Sequence, residues 1–437
     1  MIVKIFMGVL VFVLFPLSVF AAAKDELTIE RKDDLVQINL PNSTTGSSMA
    51  LGDLGADGIP EFVMGNGFGL EPFVRVFGQD GSEVGSFLAY GSSTRVGVNV
   101  VVCDLDGDGV NEIVTSAQRG GGPHVRVFNN LGKSLGVGTF VYDKAFRGGV
   151  NLTCGDLTGD GQAELVTLPA ASGHPDVRMW NLVDGSLTQT DAQFIFDESQ
   201  TVGLVGTISN NELFISEQQT KTPHIKTFIV ENKKLKEINS MQISIDATGV
   251  ASIVIHRKKI FLTTTSNAFL VDADGVGKKI DDGFVSHVGI SFDLNADGTD
   301  ELLMTPSRAL FAPTDKTQII VDLSEQRLSA YTNGILDNSF LISSGLYGST
   351  PLGNHSILAK IPFVHYRWFY GENNPRNYDL GRVQYNLRYK PHLYIHYAYW
   401  HNNFGKPMSH GCINVSFENM KWLYEWATEG IEVSVVK

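Results

Sequence analysis

A strand-like motif recurs along the first two thirds of the chain at a spacing of about fifty residues. Each copy begins at a proline and then alternates apolar with polar side chains, as a half-buried β-strand does. The four copies occupy residues 72–77, 123–128, 175–180 and 223–228. Self-similarity at a fixed period indicates stacked structural repeats rather than one domain around a single core.

An acidic loop stands ahead of three of these motifs, and a further copy of the loop comes later in the chain. Its Asp and Asn oxygens alternate with other residues and a Glu follows, which is how a short loop surrounds a hard cation such as calcium. The candidate metal ligands are Asp53, Asp57 and Glu61, then Asp104, Asp106, Asp108 and Glu112, then Asp156, Asp160 and Glu164, and finally Asp293, Asn295, Asp297 and Glu301.

The Asp104 loop matches the cation-binding pattern best. Turns rich in Asp and Gly also form without an ion, so an ion-free turn is the alternative. A bound calcium would be structural, because a saturated oxygen cage has no open position for chemistry. The sequence therefore predicts structural calcium and no cofactor for catalysis.

These repeats resemble the FG-GAP type of β-propeller repeat with its calcium loops, over about residues 48–310. Strand-like runs continue between residues 200 and 285, where the acidic loops are missing. Five full units and a last unit without its outer strands favour six blades, with seven as the alternative. Residues 27–40 would supply the missing strands and so remove exposed sheet edges. The resemblance implies a scaffold, or a module that binds a glycan or protein ligand.

The N-terminal residues have the pattern of an export signal. The basic Lys4, an apolar run over residues 5–20 and three alanines at 21–23 predict a signal peptide over residues 1–23. An uncleaved membrane anchor is the alternative. Either interpretation predicts an exported protein of the periplasm or cell envelope. The formal net charge of −13 argues against a nucleic-acid partner, because there is no basic surplus to neutralise phosphates.

Three cysteines are present, an odd number that leaves at least one thiol unpaired. Cys103 and Cys154 occupy nearly the same place in consecutive repeats, just before an acidic loop. They are predicted to be either disulfide-bonded or two buried free thiols. Neither lies near a catalytic pattern, which isolates Cys412.

The repeat pattern stops at a polar linker that contains a proline, near residues 312–316. We therefore predict a β-propeller over residues 24–312 and a second domain over residues 313–437.

The second domain is predicted to be mainly β, with one late helix. Strand-like runs on either side of Asn333-Gly334 indicate a hairpin. Ser416 and Gly430 are expected to cap and end a helix over residues 417–428.

A histidine and a cysteine loop near the end of the chain carry the chemistry. The run Ser-His-Gly-Cys at residues 409–412 begins thirteen positions after His396 and is followed by Asn414. Thiolate is the reactive form of cysteine, and neighbouring histidines are able to hold it. Backbone N–H groups near Gly411 and Cys412 are candidates for an oxyanion hole. A buried inert thiol is a weaker alternative, since the complete motif argues against it. A zinc site is weaker still, because Cys412, His410, His401 and His396 lack a paired CxxC or HxxxH spacing.

With its flanking residues, this pattern resembles the L,D-transpeptidase catalytic domain family over about residues 316–437. The resemblance implies that Cys412 is the nucleophile, that His396 activates it, and that the backbone carbonyl of Tyr397 orients His396. The residues that would shape the site are Ser409, His410, Gly411 and Asn414. The family usually has Gly or Ser where this chain has Tyr397, and a ring turned into the cleft would narrow it. Residues 366–390 stand where the family has a substrate-covering segment.

The resemblance also implies the substrate. An L,D-transpeptidase of this kind would acylate itself with a peptidoglycan stem tetrapeptide and form a 3-3 cross-link. Water as acceptor would make it an L,D-carboxypeptidase, and a protein lysine would make it a protein-to-wall attachment enzyme. A different class is a non-catalytic binding or adhesion module with a degenerate enzyme domain, which the intact motif at residues 409–414 disfavours.

Overall fold

The computed structural model describes most of the chain between residues 28 and 436. The described residues are 28–32, 35–39, 47–67, 70–92, 94–170, 173–200, 203–218, 220, 222–245, 250–264, 267–280, 288–294, 299–305, 316–324, 326–332, 335–369, 371–374 and 377–436. The predicted signal peptide over residues 1–23, the domain boundary at residues 312–313, and the candidate ligands Asn295 and Asp297 lie outside them.

Short strands that follow one another by tight turns make up the repeat region. They are β1 Thr28–Lys32, β2 Leu35–Asn39, β3 Ser48–Gly52, β4 Glu61–Gly65, β5 Phe73–Phe77, β6 Glu83–Leu88, β7 Val98–Cys103, β8 Glu112–Ala117, β9 His124–Phe128, β10 Ser134–Phe140, β11 Val150–Gly155, β12 Glu164–Pro169, β13 Asp176–Val183, β14 Ser186–Phe194, β15 Leu204–Ser209, β16 Glu212–Glu217, β17 His224–Glu231, β18 Lys234–Gln242, β19 Ser252–His256, β20 Lys259–Thr263, β21 Ala268–Val271, β22 Gly277–Lys279, β23 Val288–Phe292 and β24 Glu301–Thr305.

These strands form six four-stranded sheets, and five of them are consecutive antiparallel meanders from β3 to β22. Burial falls from the second strand to the fourth within a sheet. Every side chain of β8 and of β12 is buried, β5 and β9 alternate, and β6 and β10 are largely exposed. The recurring proline motif thus supplies the third strand, which is half-buried as its alternation predicts.

The sixth sheet combines the two ends of the repeat region, in the order β1-β2-β24-β23. The pairing of β2 with β24 is parallel, whereas β1 with β2 and β23 with β24 are antiparallel. The prediction that residues 27–40 complete the last repeat is therefore confirmed. Val36 and Ile38 of β2 are buried together with Leu303, which holds this edge in place.

Consecutive sheets touch through their first strands. Contacts link β3 to β7, β7 to β11, β11 to β15, β15 to β19 and β19 to β23, and β23 also contacts β3. The second strand β4 also contacts β7, and glycine makes this approach feasible at Gly65, where an added Cβ would lie 2.2 Å from the carbonyl oxygen of Val98. Apolar side chains fill the space between sheets, as where Val63 and Val74 share a cluster with Val98 and Ile113.

Cys103 and Cys154 form a disulfide, with their Cα atoms 6.3 Å apart. Cys103 ends β7 and Cys154 lies near the end of β11, so the bond joins the first strands of two neighbouring sheets. Of the two sequence-based alternatives for this pair, the disulfide is the one observed. Cys412 is left as the free cysteine.

The C-terminal region contains two further sheets and one α-helix. Its elements are β25 Gln318–Asp322, β26 Arg327–Thr332, β27 Ile335–Leu341, a short 3-10 helix at Leu346–Gly348, β28 Gly353–Ser356, β29 Ala359–Trp368, β30 Tyr378–Lys390, β31 Leu393–Tyr397, β32 Ile413–Val415, α1 Phe417–Trp426 and β33 Glu432–Val436. The sheet orders are β27-β26-β25-β33-β28 and β29-β30-β31-β32.

One apolar core lies between these two sheets and the helix. Ile319 and Leu328 from the first sheet, Ile395 and Ile413 from the second, and Leu423 from α1 are all fully buried in it. Residues Asn333 and Gly334 lie outside the described part, but Thr332 pairs with Ile335, and β26 and β27 are antiparallel as the hairpin prediction requires.

The late helix is present and shorter than predicted, since it ends at Trp426 rather than Thr428. Ser416 has the extended backbone of an N-cap residue, but its side chain makes no capping hydrogen bond. Burial of Met420 and Leu423 against the core therefore stabilises the helix where the expected cap does not. None of the helices within the described residues is long and apolar enough to cross a membrane.

An ion pair joins the two regions of the chain. The Arg119 guanidinium, just after β8, donates to Asp337 of β27 with Nη2 and Oδ1 3.0 Å apart. Asp337 also accepts hydrogen bonds from Thr332 and from Nε1 of Trp426. Both partners are largely shielded from solvent, so this is a more specific contact than a surface ion pair.

Candidate active site

Two parallel strands bring His396 and the cysteine loop together. In the pairing of β31 with β32, Ile395 lies opposite Ile413 and His396 lies opposite Asn414. Cys412 immediately precedes β32, and the backbone N–H of Tyr394 hydrogen-bonds to its thiol. The sequence motif is thus assembled by register: the two buried isoleucines fix which residues on the strands face each other.

His396 is almost completely buried, with 2% of its surface exposed. Its Nδ1 lies 2.9 Å from the backbone carbonyl oxygen of Tyr397, and its ring is stacked on Tyr366 with centroids 4.5 Å apart. Burial lowers the pKa of His396 to about 4, because a charged imidazolium would lose its hydration there. At neutral pH the ring is therefore uncharged.

The Cys412 thiol is half-buried, and burial raises its pKa to about 11. The Tyr394 N–H favours the thiolate but does not outweigh the loss of hydration. The resting site therefore holds a neutral thiol and a neutral imidazole. This differs from the expectation that the two histidines hold a thiolate, because motif spacing carries no information about how deeply the group is buried.

The loop that carries Cys412 is fixed by its own hydrogen bonds. The Ser409 hydroxyl donates to the carbonyl oxygen of Cys412 and accepts from the N–H of Gly411 at 3.0 Å. That Gly411 N–H is therefore engaged within the loop, and of the two N–H groups expected to form an oxyanion hole it is the one already used. Gly411 has a φ of +134°, and an added Cβ would lie 3.1 Å from the carbonyl oxygen of Ser349.

The other two predicted site residues lie on opposite sides of this loop. His410 is exposed, and its ring stacks on Tyr378 of β30 with centroids 5.7 Å apart. Asn414 is buried, and its side-chain amide lies between His396 and His401. Asn414 therefore belongs to the buried surroundings of His396, whereas His410 lies on the exposed side of the loop against Tyr378.

The acidic loops of the repeats lie in a separate part of the molecule. Ligand oxygens of Asp104, Asp106 and Asp108 all lie within 4.8 Å of one another, whereas Glu112 is not part of this group. Instead, Oε2 of Glu112 accepts the backbone N–H of Leu105 at 2.9 Å. Burial and the three nearby carboxylates raise the pKa of Glu112 to about 7.

The equivalent Glu does the same in the other loops. Each accepts the N–H of the leucine that follows the first Asp, in the pairs Glu61 with Leu54, Glu164 with Leu157, and Glu301 with Leu294. In these loops the predicted ligands Asp53 and Asp156 also accept backbone N–H groups within their own turn, from residues that include Asp57 and Asp160. Asp293 immediately follows β23, and the described stretch ends one residue later at Leu294.

Sequence reasoning missed two residues that contact this machinery. Tyr366 covers one face of His396, and its hydroxyl donates to Oδ1 of Asn386 at 2.9 Å. His401 contacts Asn414, with Nε2 and Oδ1 3.3 Å apart. The concentration of aromatic residues in residues 366–390 and the Trp400-His401 pair were the only signals for them, and neither specifies a partner.

Known families match two stretches of the chain. Residues 316–435 match the L,D-transpeptidase catalytic domain, and residues 104–167 match the FG-GAP-like repeat. No curated protein shows a significant match.

The solved structures that resemble this chain include three L,D-transpeptidases. An LD transpeptidase in complex with imipenem is 21% identical, covers 43% of this chain and 99% of its own, and has a TM-score of 0.27. An L,D-transpeptidase from Mycobacterium smegmatis is 21% identical over 50% of this chain and 93% of its own, with a TM-score of 0.26. The catalytic domain of the E. faecium enzyme is 25% identical over 28% of this chain and 99% of its own, with a TM-score of 0.25.

These TM-scores are low, and the family is shown instead by the two matched stretches, the first of which contains the motif at residues 409–414. The chain carries an L,D-transpeptidase catalytic domain at residues 316–435 and FG-GAP-like repeats at residues 104–167.

Proposed function

We propose that the C-terminal domain is a peptidoglycan L,D-transpeptidase that works through a thioester at Cys412. The observation that carries the proposal is the parallel pairing of β31 with β32, which sets the Cys412 loop beside the strand of His396 within the matched catalytic domain. A thiol and a buried neutral imidazole on paired strands supply the nucleophile and the base that covalent acyl transfer requires. The proposed substrate is a stem tetrapeptide.

The proposed reaction has two halves. First, the Cys412 sulfur bonds to the carbonyl carbon of the third stem residue, and the bond from that carbon to the nitrogen of the terminal D-amino acid breaks. The thiol proton passes to His396 and then to the departing amine. Next, an amine of a second stem attacks the thioester, its proton passes to His396, and Cys412 is restored as a thiol. The product is a 3-3 cross-link.

Tyr397 supports an active rather than a degenerate domain. Its contribution to the site is the backbone carbonyl that accepts from His396 Nδ1, which any residue provides. Its ring packs on Phe417, with centroids 5.3 Å apart, and belongs to the surroundings of the core. The bulky side chain that departs from the family pattern is thus accommodated by packing on Phe417.

The test is to incubate the purified protein and a Cys412→Ala variant with tetrapeptide muropeptides and to identify the products by mass spectrometry. Cross-linked dimers that disappear in the variant support the transpeptidase. Shortened tripeptides alone would indicate the carboxypeptidase, and coupling to an added protein lysine would indicate a wall-attachment enzyme. If neither protein forms products and Cys412 is not acylated by imipenem, the enzyme proposal fails and the non-catalytic binding module takes its place.

For the repeat region we propose a closed six-bladed β-propeller that serves as a scaffold or as a module for a glycan or protein ligand. The support is the chain of contacts between first strands, which runs from β3 to β23 and returns to β3. Small-angle scattering of the full chain tests the closure, because opening the ring between β23 and β3 would lengthen the particle. Binding of the Cys412→Ala variant to isolated cell walls tests the ligand role.

We also propose that the Asp104 loop binds structural calcium. The three clustered carboxylates fit a hard cation. Burial is the main cause of the raised pKa of Glu112, and the negative charge of these carboxylates, which such an ion would offset, adds to it. The test is calcium titration by calorimetry, with Asp108→Asn as the variant and Asp57→Asn in the first loop as the matched control. Equal binding by all three proteins would exclude the Asp104 loop as the site.

For location, we propose export to the periplasm or cell envelope through residues 1–23. Cell fractionation followed by N-terminal sequencing tests this proposal. A mature chain that begins near Lys24 indicates a cleaved signal, an intact N-terminus in the membrane fraction indicates an anchor, and a cytoplasmic protein contradicts both.

A further inference from the structure

The amide of Asn414 connects two histidine rings in the core of the site. Its Nδ2 lies 3.1 Å from Nε2 of His396, and its Oδ1 lies 3.3 Å from Nε2 of His401. The outer nitrogens of the two rings meet the backbone. Nδ1 of His396 lies 2.9 Å from the carbonyl oxygen of Tyr397, and Nδ1 of His401 lies 3.3 Å from the N–H of Asn403.

The backbone carbonyl of Tyr397 and the backbone N–H of Asn403 determine the direction of every hydrogen bond in this network of His396, Asn414 and His401. A carbonyl only accepts, so His396 Nδ1 must carry a hydrogen. A backbone N–H only donates, so His401 Nδ1 must be an acceptor and the hydrogen of its neutral ring is on Nε2. His401 Nε2–H then donates to Asn414 Oδ1, and Asn414 Nδ2 donates to the lone pair of His396 Nε2.

The reverse orientation of the Asn414 amide is incompatible with His401. If Nδ2 faced His401, both nitrogens of that ring would have to accept, which a neutral imidazole cannot do. If Oδ1 faced His396, both nitrogens of His396 would donate, and the ring would have to be a buried imidazolium. His401 is thus the group that distinguishes the two orientations of the amide, whose two ends have nearly the same shape.

We propose that His401 is a positioning residue that fixes the Asn414 amide and so keeps His396 as the neutral imidazole with its hydrogen on Nδ1. This inference rests on the proposed function for its catalytic meaning. A general base must be uncharged, and in this tautomer the thiol proton would go to Nε2 as the Asn414 N–H releases that lone pair. Without His401, the Asn414 amide is free to turn its oxygen toward His396 and so to stabilise the charged form of that ring.

No other group described around His396 determines its charge, which leaves the hydrogen bonds through Asn414 and His401 to do so. The titratable groups that act on the ring are the Tyr366 phenol from β29 and His401 itself, and the Cys412 thiol from the loop before β32 acts on Tyr366. Burial raises the pKa of both Tyr366 and Cys412, so neither supplies a negative charge that would hold an imidazolium at neutral pH. Trp400 lies 5.8 Å from His396 between ring centroids and carries no charge.

The experiment is nitrogen-detected NMR of the full chain labelled with ¹⁵N-histidine, which reports the tautomer and the titration of His396 without turnover. His396→Gln assigns the signal. In the native protein the ring should stay neutral, with hydrogen on Nδ1, down to about pH 4. In His401→Phe a second form should appear, and the titration should move up by about one pH unit or more.

Two further variants make the outcome specific. His401→Gln retains an amide N–H that is able to donate to Asn414, so it should restore the native tautomer and the native pH profile of kcat/KM. His392→Asn removes a histidine from an exposed turn with a positive φ of 63°, a conformation that Asn tolerates, and should change nothing. An unchanged His396 signal in a folded His401→Phe protein would overturn the proposal. A native tautomer in a protein that makes no product would instead count against the proposed function alone.

Discussion

Burial keeps the Cys412 thiol protonated, so in the proposed reaction a base has to activate it. With a pKa near 11, its thiolate fraction at pH 7 is on the order of a hundredfold below that of an ordinary thiol. We expect slow alkylation by iodoacetamide at pH 7 and a rise of about tenfold per pH unit up to pH 11. Because the other two cysteines are disulfide-bonded, intact-protein mass spectrometry follows this one thiol directly. A rate that levels off below pH 9 would mean that the site stabilises the thiolate.

The buried imidazole of His396 makes the fold sensitive to acid. Its pKa is about 4 in the folded protein, so the unfolded chain takes up this proton near its ordinary pKa of 6.5 and the folded chain does not. Its stabilising contribution is therefore complete above pH 6.5 and is lost as the pH falls towards 4, by about 1.4 kcal/mol per pH unit. Urea unfolding of the catalytic domain at several pH values measures this loss. His396→Gln should remove the His396 share of the slope, and an equal slope in that variant would contradict the prediction.

For individual residues, the sequence predicts which of them come together but not their protonation state. Cys412, His396 and Asn414 lie where their motif and the pairing of two strands put them. The protonation state depends on burial by residues distant in sequence, of which Tyr366 is the clearest case. His401 is recognisable only from the direction of its hydrogen bonds, which spacing along the chain does not contain.

The disulfide acts at the level of the repeat, where it joins the first strands of two sheets. Its half-cystines are separated by 51 positions, and closing a loop of that size restricts the unfolded chain by about 4 kcal/mol on the chain-entropy estimate. The double variant Cys103→Ala/Cys154→Ala should lower the free energy of unfolding of the repeat region by roughly 2–5 kcal/mol.

Thermal and urea unfolding under oxidising conditions measure that difference. Cys412→Ala, which leaves the disulfide intact, is the control for the loss of a cysteine. If both proteins are as stable as the native chain, the bond does not contribute to the stability of the repeats.

Elements with a strong period are predictable here, and their ends are not. The proline motif marks the third strand of four repeats, and the unit completed by residues 27–40 is found as predicted. The helix ends two residues early, because α1 stops where Ala427 turns into the core in an extended conformation. The side chain of Ser416 makes no capping hydrogen bond, and burial of Met420 and Leu423 stabilises the helix instead.

For the whole molecule, the ion pair of Arg119 and Asp337 couples the repeats to the catalytic domain. Arg119 is desolvated, which lowers its pKa, while Asp337 keeps two other donors. A double-mutant cycle with Arg119→Ala and Asp337→Asn should give a coupling energy of about 1–2 kcal/mol in unfolding experiments. Arg75→Ala/Glu83→Ala, a pair within one sheet, is the matched control for an intradomain ion pair.

The ion pair between the two regions should also affect how cooperatively they unfold. Loss of the Arg119 contact should make the two regions unfold in more separate transitions in calorimetry, whereas loss of the Arg75 contact should not. Transitions that remain superimposed, together with a coupling energy near zero, would show that the regions are held by other contacts.

The sheet built from β1, β2, β23 and β24 has a consequence for how the protein is made. A ribosome delivers β2 early, yet its partner β24 is synthesised only after every intervening repeat. The hairpin of β1 and β2 must therefore wait without its neighbour β24, and within the repeat region this pairing bears the largest cost of loop closure. Removal of β24 alone and deletion of the segment from β1 to β2 should thus give the same defect in the repeat region, because each leaves one half of a single sheet without its complement.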